Sequence, residues 1–491
     1  MFGCSDGRTA RGAEGGIVLQ GFRNMGRLAA LLCLAVSFAA PFRVSAAAET
    51  VPQAVAGRAV RPEETAAWWC SRYGAADKVV LDAAGIAALN ERIAKSSDIW
   101  SGAVTAEQLA SFANVDGAAL RRQLADPWPL RREEYLEGRR MTEDDAATFR
   151  ANLNLDAVPA NVTGRFAVTT AHTSLRVLPT DRGLYDSADA DARYYDNVQD
   201  SVLDAGEPVV VWHTSRDGRY VFVRCRTLSA WVARDDVAYC ARDDWNRYAA
   251  PQQFLTVLAR DVYPAEAGGT WHGKGPRPGY DYGADPASFK GMLLQGSNLL
   301  YTRRVPAADG ERWEVLLPQR DAQGALTEKK VLLPAGPALR EGYAPYTARQ
   351  VLENAMQFLD SVYGWGGNYG SVDCSSFAWA VYRAEGICLP RNSGQIRRAP
   401  LHTVSLAGLG TAERLAVLAQ LPPGALLHLP GHVMIYLGLK DGVPYAIHSF
   451  SSHYVNGKKV YERRVEVTDL LLCRSTGRTF LDELTCCQEV R

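Results

Sequence analysis

The hydrophobic pattern of this chain changes period along its length, and each change marks a boundary that one folding unit does not cross. From about residue 60 to 158, apolar residues fall at helical spacing, as in Leu81 to Ile99 and Thr105 to Leu124, with Thr105 placed as an N-cap before Glu107 and Gln108. Asp126-Pro127-Trp128-Pro129 breaks that pattern. No catalytic constellation stands in this stretch, and it reads as a helical brace. From about 159 the texture is that of strands. Phe166 to Thr170, Ser174 to Leu178, Pro208 to His213, Tyr220 to Cys225 and Ala230 to Ala233 are short and rich in Val, Phe and Trp, and turn clusters such as Ser215-Arg216-Asp217-Gly218 part them. This spacing predicts a small barrel over 159–245. A second strand-rich block, 246–335, carries Gly279-Tyr280-Asp281-Tyr282-Gly283, Trp313 to Leu317 and Lys330 to Leu333, and predicts another barrel. Pro334 to Pro345 reads as a linker. The last domain runs over 345–485.

A length of 491 residues agrees with several domains. Charged residues make up 22% and hydrophobic residues 47%, which excludes collagen-like, wholly disordered and multi-span membrane chains. Lys and Arg number 54 and Asp and Glu 54, so no cationic excess exists to hold nucleic acid, and none is expected as a partner.

Near the start, Met25-Gly26-Arg27 precedes the apolar run Leu28 to Phe38, and Arg43 to Ala48 follows. This is the order of a secretory signal, with cleavage expected after Ala46 or Ala48. The run is short for a membrane span, and Leu32 before Cys33 is a poor lipid-attachment site. Residues 1–46 are thus read as an upstream extension and signal peptide with Met25 as the initiator, and 47–158 as the helical segment. An exported protein is expected, periplasmic or associated with the cell envelope, with no stable membrane insertion after cleavage. Of ten cysteines, Cys4 and Cys33 fall in the removed segment, and Cys225 and Cys240 flank a strand-rich stretch where they could pair. No CxxC pair occurs, which removes a thioredoxin or zinc-ribbon reading.

In the last domain, Val351, Ala355, Phe358, Leu359 and Val362 fit one helical face within Thr347 to Tyr363, and the glycine-rich turn Tyr363-Gly364-Trp365-Gly366-Gly367 follows. Val372-Asp373-Cys374-Ser375-Ser376-Phe377 then leads into helix formers. Asp373 is placed as an N-cap and Cys374 as the first residue of the helix. A thiol there faces unsatisfied N–H groups and the positive end of the macrodipole, which lower its pKa and favour the thiolate. The other common fate of a cysteine is burial as a small hydrophobe. The polar flank of Asp373, Ser375 and Ser376 argues against it.

A thiolate nucleophile calls for a histidine base, itself oriented by a third group. Gly431 to Gly438 alternates as a half-buried strand, with Val433, Ile435 and Leu437 on one side and His432, Met434 and Tyr436 on the other. Lys440-Asp441-Gly442 is a turn signal, and Tyr445 to His448 begins the return strand. A simple hairpin centred on residue 440 would set His432 and His448 opposite one another on one face, within about one residue of register. Each alone reads as an ordinary strand polar group; together they suit a base and its partner. A metal site would need His428, His432, His448 or His453 to converge, but Pro430-Gly431 prevents an H-x-x-x-H helix face and no carboxylate stands close in sequence. Neither metal nor cofactor is expected.

The Tyr-Gly-Trp-Gly-Gly, Asp-Cys-Ser-Ser-Phe, Pro-Arg-Asn-Ser, Gly-His-Val-x-Ile-Tyr-Leu-Gly and Ile-His-Ser stretches resemble the NlpC-type cell-wall cysteine peptidases, in that family's order. The resemblance implies an α+β chain: a papain-like C-terminal peptidase domain preceded by two small SH3-like β-barrels and a helical N-terminal segment. Leu175 to Thr180 and Ser215 to Gly218 carry the likeness to the first barrel. By position, Cys374 resembles the nucleophile, His432 the base and His448 the orienting residue. Tyr363 matches a tyrosine that helps to polarise the scissile carbonyl, and Asp373, Ser375, Asn392 and Ser393 match positions lining the substrate cleft. Gly424-Ala425 stands where relatives often have Gly-Asp, and Asn392 where some carry Asp, which weakens a grip on a cationic amine.

The implied reaction is hydrolysis of the γ-D-glutamyl bond to a diamino acid, diaminopimelate, in peptidoglycan stem peptides or muropeptides, through a thioester. A non-catalytic wall-binding protein and an acyltransferase with the same Cys/His/His site stay as alternatives. If the first barrel borders the cleft, Asp196 or Glu207 could meet a free amino end of the stem; either is otherwise a surface charge.

Overall fold

The computed structural model describes residues 60–264, 270–271, 289–308 and 310–491. The expected signal segment and Gly279 to Gly283 lie outside the described residues. Among the described residues, no helix is long and apolar enough to cross a membrane.

The N-terminal stretch forms short helices: Ala66–Arg72, Ala83–Lys95, Ala106–Ser111, Gly117–Ala125 and Glu143–Asn152. Thr105 caps as expected, its Oγ1 accepting the Gln108 N–H at 3.3 Å. The helix expected from Thr105 to Leu124 is split, however. Asn114–Asp116 is extended and pairs with Asn161–Thr163. Asp116 then restarts the helix by accepting the Ala119 N–H at 2.7 Å. Gly117 lies so close to the partner strand that a Cβ would sit 1.7 Å from the Pro159 carbonyl oxygen. Strand pairing has overridden an apolar spacing that helix propensity alone favours. The helices also divide between two cores. Trp69, Leu89 and Ile93 pack with Phe358, Phe377 and Ile435 of the last domain, whereas Leu109, Leu120 and Phe149 pack against Val210, Phe222 and Trp231 of the first sheet. The brace thus joins two bodies.

The first sheet has seven antiparallel strands in the order Val237–Tyr239, Arg165–Thr169, Pro208–Thr214, Tyr220–Arg224, Ser229–Ala233, Thr173–Arg176, Gln199–Leu203. Val209, Val211, Val221 and Val223 fill one side, while Val210 and Phe222 meet the helices on the other. Burial on both faces explains why Val209-Val210-Val211 is an unbroken apolar run. The edge strand Gln199–Leu203 has no such texture and comes from pairing with Thr173–Arg176. The second block is a five-stranded sheet, ordered Leu326–Pro334, Gly310–Arg320, Asn298–Ala307, Phe254–Val257, Leu339–Glu341, with a small three-stranded sheet beside it. Its last strand, Leu339–Glu341, lies within the expected linker.

The last domain is built on six antiparallel strands: His402–Ser405, Cys486–Glu489, Leu426–Leu429, His432–Lys440, Val443–Val455 and Lys458–Asp469. Helices Ala348–Met356 and Cys374–Arg383 cover one face, where Val351, Phe377 and Val381 meet Val433, Ile435 and Leu437. Met434, Tyr436, Leu470 and Phe480 fill the other. The alternation of the His432 strand therefore has the two sides its sequence implied.

All eight cysteines described, from Cys70 to Cys487, are free thiols. The Cys225–Cys240 pair is not formed. Cys225 packs inside the first sheet and donates to the Leu228 carbonyl at 3.3 Å, while Cys240 packs with the cluster on the sheet's other side.

The glycine turn presses on the first sheet. Gly366 and Gly367 hold φ of 59° and 85°, and a Cβ on either would lie 2.7 Å from a side-chain carbon of Gln199 or Val202 respectively. Both the left-handed backbone and the close approach require glycine here. Gly367→Ala is expected to lower stability by about 2–4 kcal/mol, combining backbone strain with overpacking, and adding Val202→Ala to recover part of it. Urea unfolding checks this; an unchanged midpoint for the single variant would contradict it.

Candidate active site

Cys374 opens its helix, and Asp373 is its N-cap. Asp373 Oδ1 accepts the Ser376 N–H at 2.7 Å, and Ser376 Oγ accepts the Asp373 N–H at 2.8 Å. The same carboxylate is held from its other side by Arg391, whose Nη2 and Nη1 donate to Oδ2 and Oδ1 at 2.9 and 3.2 Å. Gly366 N–H adds a bond to Oδ2 at 3.1 Å. Arg391 also donates to Ser375 Oγ at 3.0 Å and, through Nε, to Ser201 Oγ of the first sheet at 2.7 Å. Burial works against the Asp373 charge, but Arg391 and the Ser376 hydrogen bonds prevail and hold its carboxyl below the ordinary value. Such a pair gains little net free energy from attraction alone, yet it fixes geometry, since either charge without the other would be buried uncompensated.

The Cys374 thiol is half-buried, against the core between helix and sheet. Burial pushes it up to about 12, and the Asp373 charge adds to that push. Hydrogen bonds from the Val433 and Ser375 N–H groups and the Arg391 charge act the other way and are outweighed. The lowered pKa expected from the helix start is therefore not what the structure gives. Loss of water and a carboxylate as neighbour in sequence both disfavour the thiolate. Tyr363, also buried, is pushed well above 10 by burial and by the Cys374 and Asp373 charges. Its phenol keeps its proton and remains a donor.

The bond from Val433 N–H sets the sulfur beside the residue that follows His432. Across the hairpin the pairing is Ile435 with Ile447 and Tyr436 with Ala446, and then a bulge at Leu437 shifts it to Gly438 with Tyr445. The turn is Asp441-Gly442, with both residues at positive φ, 52° and 78°. The register is thus displaced from the simple hairpin. His432 lies level with Phe450, and His448 stands two residues away on the diagonal. The rings still meet, because diagonal neighbours on one face are within reach of long side chains. His432 Nε2 and His448 Nδ1 are 2.8 Å apart. Phe450 stacks on His448 at 4.3 Å between centroids, and Phe480 closes edge-on over both rings. Burial, with the Arg474 and His428 charges, brings His432 down to about 3. Burial and the His432 charge take His448 well below 6.5. Ser449 Oγ donates to the Val372 carbonyl at 2.7 Å, tying the second histidine strand to the residue before Asp373.

Of the other residues marked in the sequence, Asn392 is exposed at the N-terminus of the helix Ser393–Arg398 and its side chain makes no cap bond, while Ser393 is half-buried. Ser375 is buried, with its hydroxyl donating to Asp373 at 3.1 Å. Neither carboxylate suggested for an amino end is free to serve it. Asp196 is buried and paired with Arg176 at 2.6 Å, and Glu207 pairs with Arg383. The half-buried acid that feels the Asp373 and Arg391 charges is Asp200. Sequence reasoning missed Arg391, and it missed the hydroxyl of Thr468, whose Oγ1 lies 2.9 Å from His448 Nε2. Arg391 sits inside the Pro-Arg-Asn-Ser stretch, and its one signal was a cation beside a proline and a helix start. Thr468 gave none, lying on a strand whose register the sequence does not show. Among the described residues, no three His, Cys, Asp or Glu groups cluster as metal ligands.

Residues 360–471 match the NlpC/P60 family, and residues 184–233 match an SH3 domain of the SH3b1 type. Among solved structures, the chain is similar to an NlpC/P60 endopeptidase from Photobacterium damselae subsp. piscicida, with 16% identity, a TM-score of 0.64, and 85% of this chain and 95% of that one covered. An NlpC/P60 family protein from Bacillus cereus aligns at 19% identity over 60% of this chain and 83% of that one, with a TM-score of 0.39. No curated protein matches the chain. The chain therefore carries an NlpC/P60 domain with an SH3b domain upstream, in an α+β fold shared with the Photobacterium enzyme. Neither matched segment extends into the second strand block, 246–335, so a second SH3-like barrel is not confirmed.

The buried site sets two expectations. Both imidazoles titrate below 6.5 in the folded protein, so below that pH the unfolded chain binds more protons. Stability is full above about pH 6.5 and falls as pH drops, by up to about 1.4 kcal/mol per unit for each ring. Urea unfolding at pH 7 and pH 5 checks this: the native chain is to lose more than a His448→Asn variant, and equal losses would contradict it. The second concerns the thiol. Iodoacetamide alkylation of Cys374, followed by peptide mapping, is expected to climb with pH from 6 through 9. A plateau already reached below pH 6 would reveal a resting thiolate and contradict the neutral site.

Proposed function

We propose that the NlpC/P60 domain of this chain hydrolyses the γ-D-glutamyl–diamino acid bond of peptidoglycan stem peptides, with Cys374 as nucleophile, His432 as base and His448 as the residue that orients it. The observation that carries the reading is the placement of a helix-initial thiol beside the first residues of a strand whose histidine is hydrogen-bonded, at 2.8 Å, to a second, buried histidine. The NlpC/P60 match supports a cysteine peptidase; the bond and the residue roles are this proposal.

In this reading His432 Nε2 is committed to His448, which leaves Nδ1 as the nitrogen that takes the thiol proton. Burial disfavours both the thiolate and the imidazolium, so in this mechanism proton transfer accompanies attack instead of preceding it. The sulfur adds to the γ-carbonyl, and the negative charge on its oxygen meets the Cys374 backbone N–H and the Tyr363 hydroxyl. Donors fixed in advance around a developing charge often contribute more to catalysis than any other single effect. His432 returns its proton to the leaving amine, the C–N bond breaks, and a thioester remains on Cys374. Water, deprotonated by His432, attacks the thioester, and the product acid leaves as the thiol is restored. The burial that disfavours the thiolate also excludes bulk water from the sulfur and strengthens each hydrogen bond around it. The expected substrate places the protein outside the cytoplasmic membrane, in keeping with the signal-like segment of the sequence.

The test is digestion of purified peptidoglycan and of defined muropeptides, with mass spectrometry of the fragments. Cleavage between the γ-linked glutamate and the diamino acid is expected, falling by at least about 1,000-fold in Cys374→Ala. Cleavage at another bond would overturn the substrate assignment, and undiminished turnover by Cys374→Ala would overturn the mechanism.

A further inference from the structure

A histidine used as an orienting partner carries an ambiguity that a carboxylate does not. A neutral imidazole has one N–H and one bare nitrogen, and either nitrogen can hold the proton. His432 serves as a base at Nδ1 only when its own proton is on Nε2. With His432 Nε2 and His448 Nδ1 only 2.8 Å apart, that tautomer donates to His448 Nδ1. His448 must then carry its proton on Nε2. Its ring is fully buried, and an N–H in such a place needs an acceptor. Thr468 Oγ1 lies 2.9 Å from His448 Nε2.

The opposite polarity is equally well bonded and inert. If the relay were reversed, His448 Nδ1–H would donate to His432 Nε2, the His432 proton would sit on Nδ1, and no nitrogen would remain to take the thiol proton. The active direction thus depends on an acceptor at the far end of the row. The sheet places it there by register. His432, His448 and Thr468 lie on three consecutive strands and on one face, each displaced by two residues along the strand, since His448 pairs with Glu466 and Thr468 with Ala446. Phe450 and Phe480 wall the two rings.

We propose that Thr468 is a positioning residue: its hydroxyl is the acceptor that lets His448 keep its proton on Nε2, and so makes available the polarity of the Thr468–His448–His432 row that leaves His432 Nδ1 bare. The inference rests on the reading of Cys374 and His432 as nucleophile and base. Removing the hydroxyl leaves the Nε2–H buried without a partner, and the ring responds by moving its proton to Nδ1, which reverses the row. Valine preserves the shape of Thr468 and suits a strand, so Thr468→Val tests the hydroxyl and not the fold.

Two measurements on the full chain decide it. Turnover of a muropeptide by Thr468→Val is expected to lose about tenfold to a hundredfold in kcat, from one unpaired buried donor, with KM within about twofold, and Thr468→Ser to restore it. Nitrogen-15 NMR of the histidine rings in the resting protein is expected to show His432 and His448 both protonated at Nε2 in the native chain, and at Nδ1 in Thr468→Val. A native chain with His448 protonated at Nδ1, or a Thr468→Val variant that keeps its kcat or loses it without a change of tautomer, would overturn the proposal. The spectra need no substrate, so they hold or fail apart from the assignment of the reaction, which Cys374→Ala tests. If Thr468→Val fails to fold, the native spectrum and the serine variant still decide.

Discussion

The buried pair of Asp373 and Arg391 is the interaction on which the geometry of the site depends. One carboxylate caps the helix that begins with Cys374, receives the Gly366 N–H from the glycine turn, and takes two bonds from a guanidinium whose remaining reach is spent on Ser375 and on Ser201 of the first sheet. Three stretches of the last domain and one distant strand of the first sheet are thereby held to one set of atoms. The cost of removing both charges from water is high, and the attraction between them does little more than offset it. What the pair secures is position, because a carboxylate or a guanidinium left alone there would cost several kcal/mol. Gln199 Nε2 donating to the Gly366 carbonyl at 3.0 Å ties the glycine turn directly to the edge strand Gln199–Leu203 beside this fixed point.

The electrostatics of the reacting groups follow from the same burial. The environment that fixes Asp373 as an anion beside the sulfur raises the thiol, while desolvation lowers both imidazoles. A resting ion pair between sulfur and ring is disfavoured from both sides. The charge arises only when a carbonyl is present to accept the sulfur and hydrogen-bond donors are present to receive the oxyanion. In the proposed mechanism, burial holds reactivity back until substrate completes the arrangement, and the row of His432, His448 and Thr468 carries no net charge of its own.

Much of this was legible in the sequence wherever the signal was local. Asp373 as cap and Cys374 as first helical residue are decided by a few adjacent side chains, and the structure has both. The two faces of the His432 strand follow from strict alternation, which a strand cannot evade. What depends on a neighbouring strand was not legible. The turn falls at Asp441-Gly442 and not on residue 440, and the bulge at Leu437 takes back one residue of that offset, which leaves His448 on the diagonal; nothing in Gly431 to Gly438 announces a bulge. The extended Asn114–Asp116 interrupts a sound helical spacing because a strand beginning at Asn161 is there to pair with it. The surroundings of the thiol were not legible for a related reason. Helix position can be read from sequence, but loss of solvent around the sulfur comes from the strand packed over it, and that second effect is the larger. Asp196 and Glu207 stood as exposed acids in the sequence, although each has an arginine partner brought by the fold.

Intact-mass spectrometry of the chain, acid-quenched during turnover of a muropeptide, addresses the central claim most directly. A covalent adduct with the mass of the acyl fragment ending in γ-linked glutamate is predicted, mapping to the peptide that contains Cys374 and accumulating when water attack is slowed. Turnover with no adduct on Cys374, or with the acyl group on another residue, would contradict a thioester mechanism at this site.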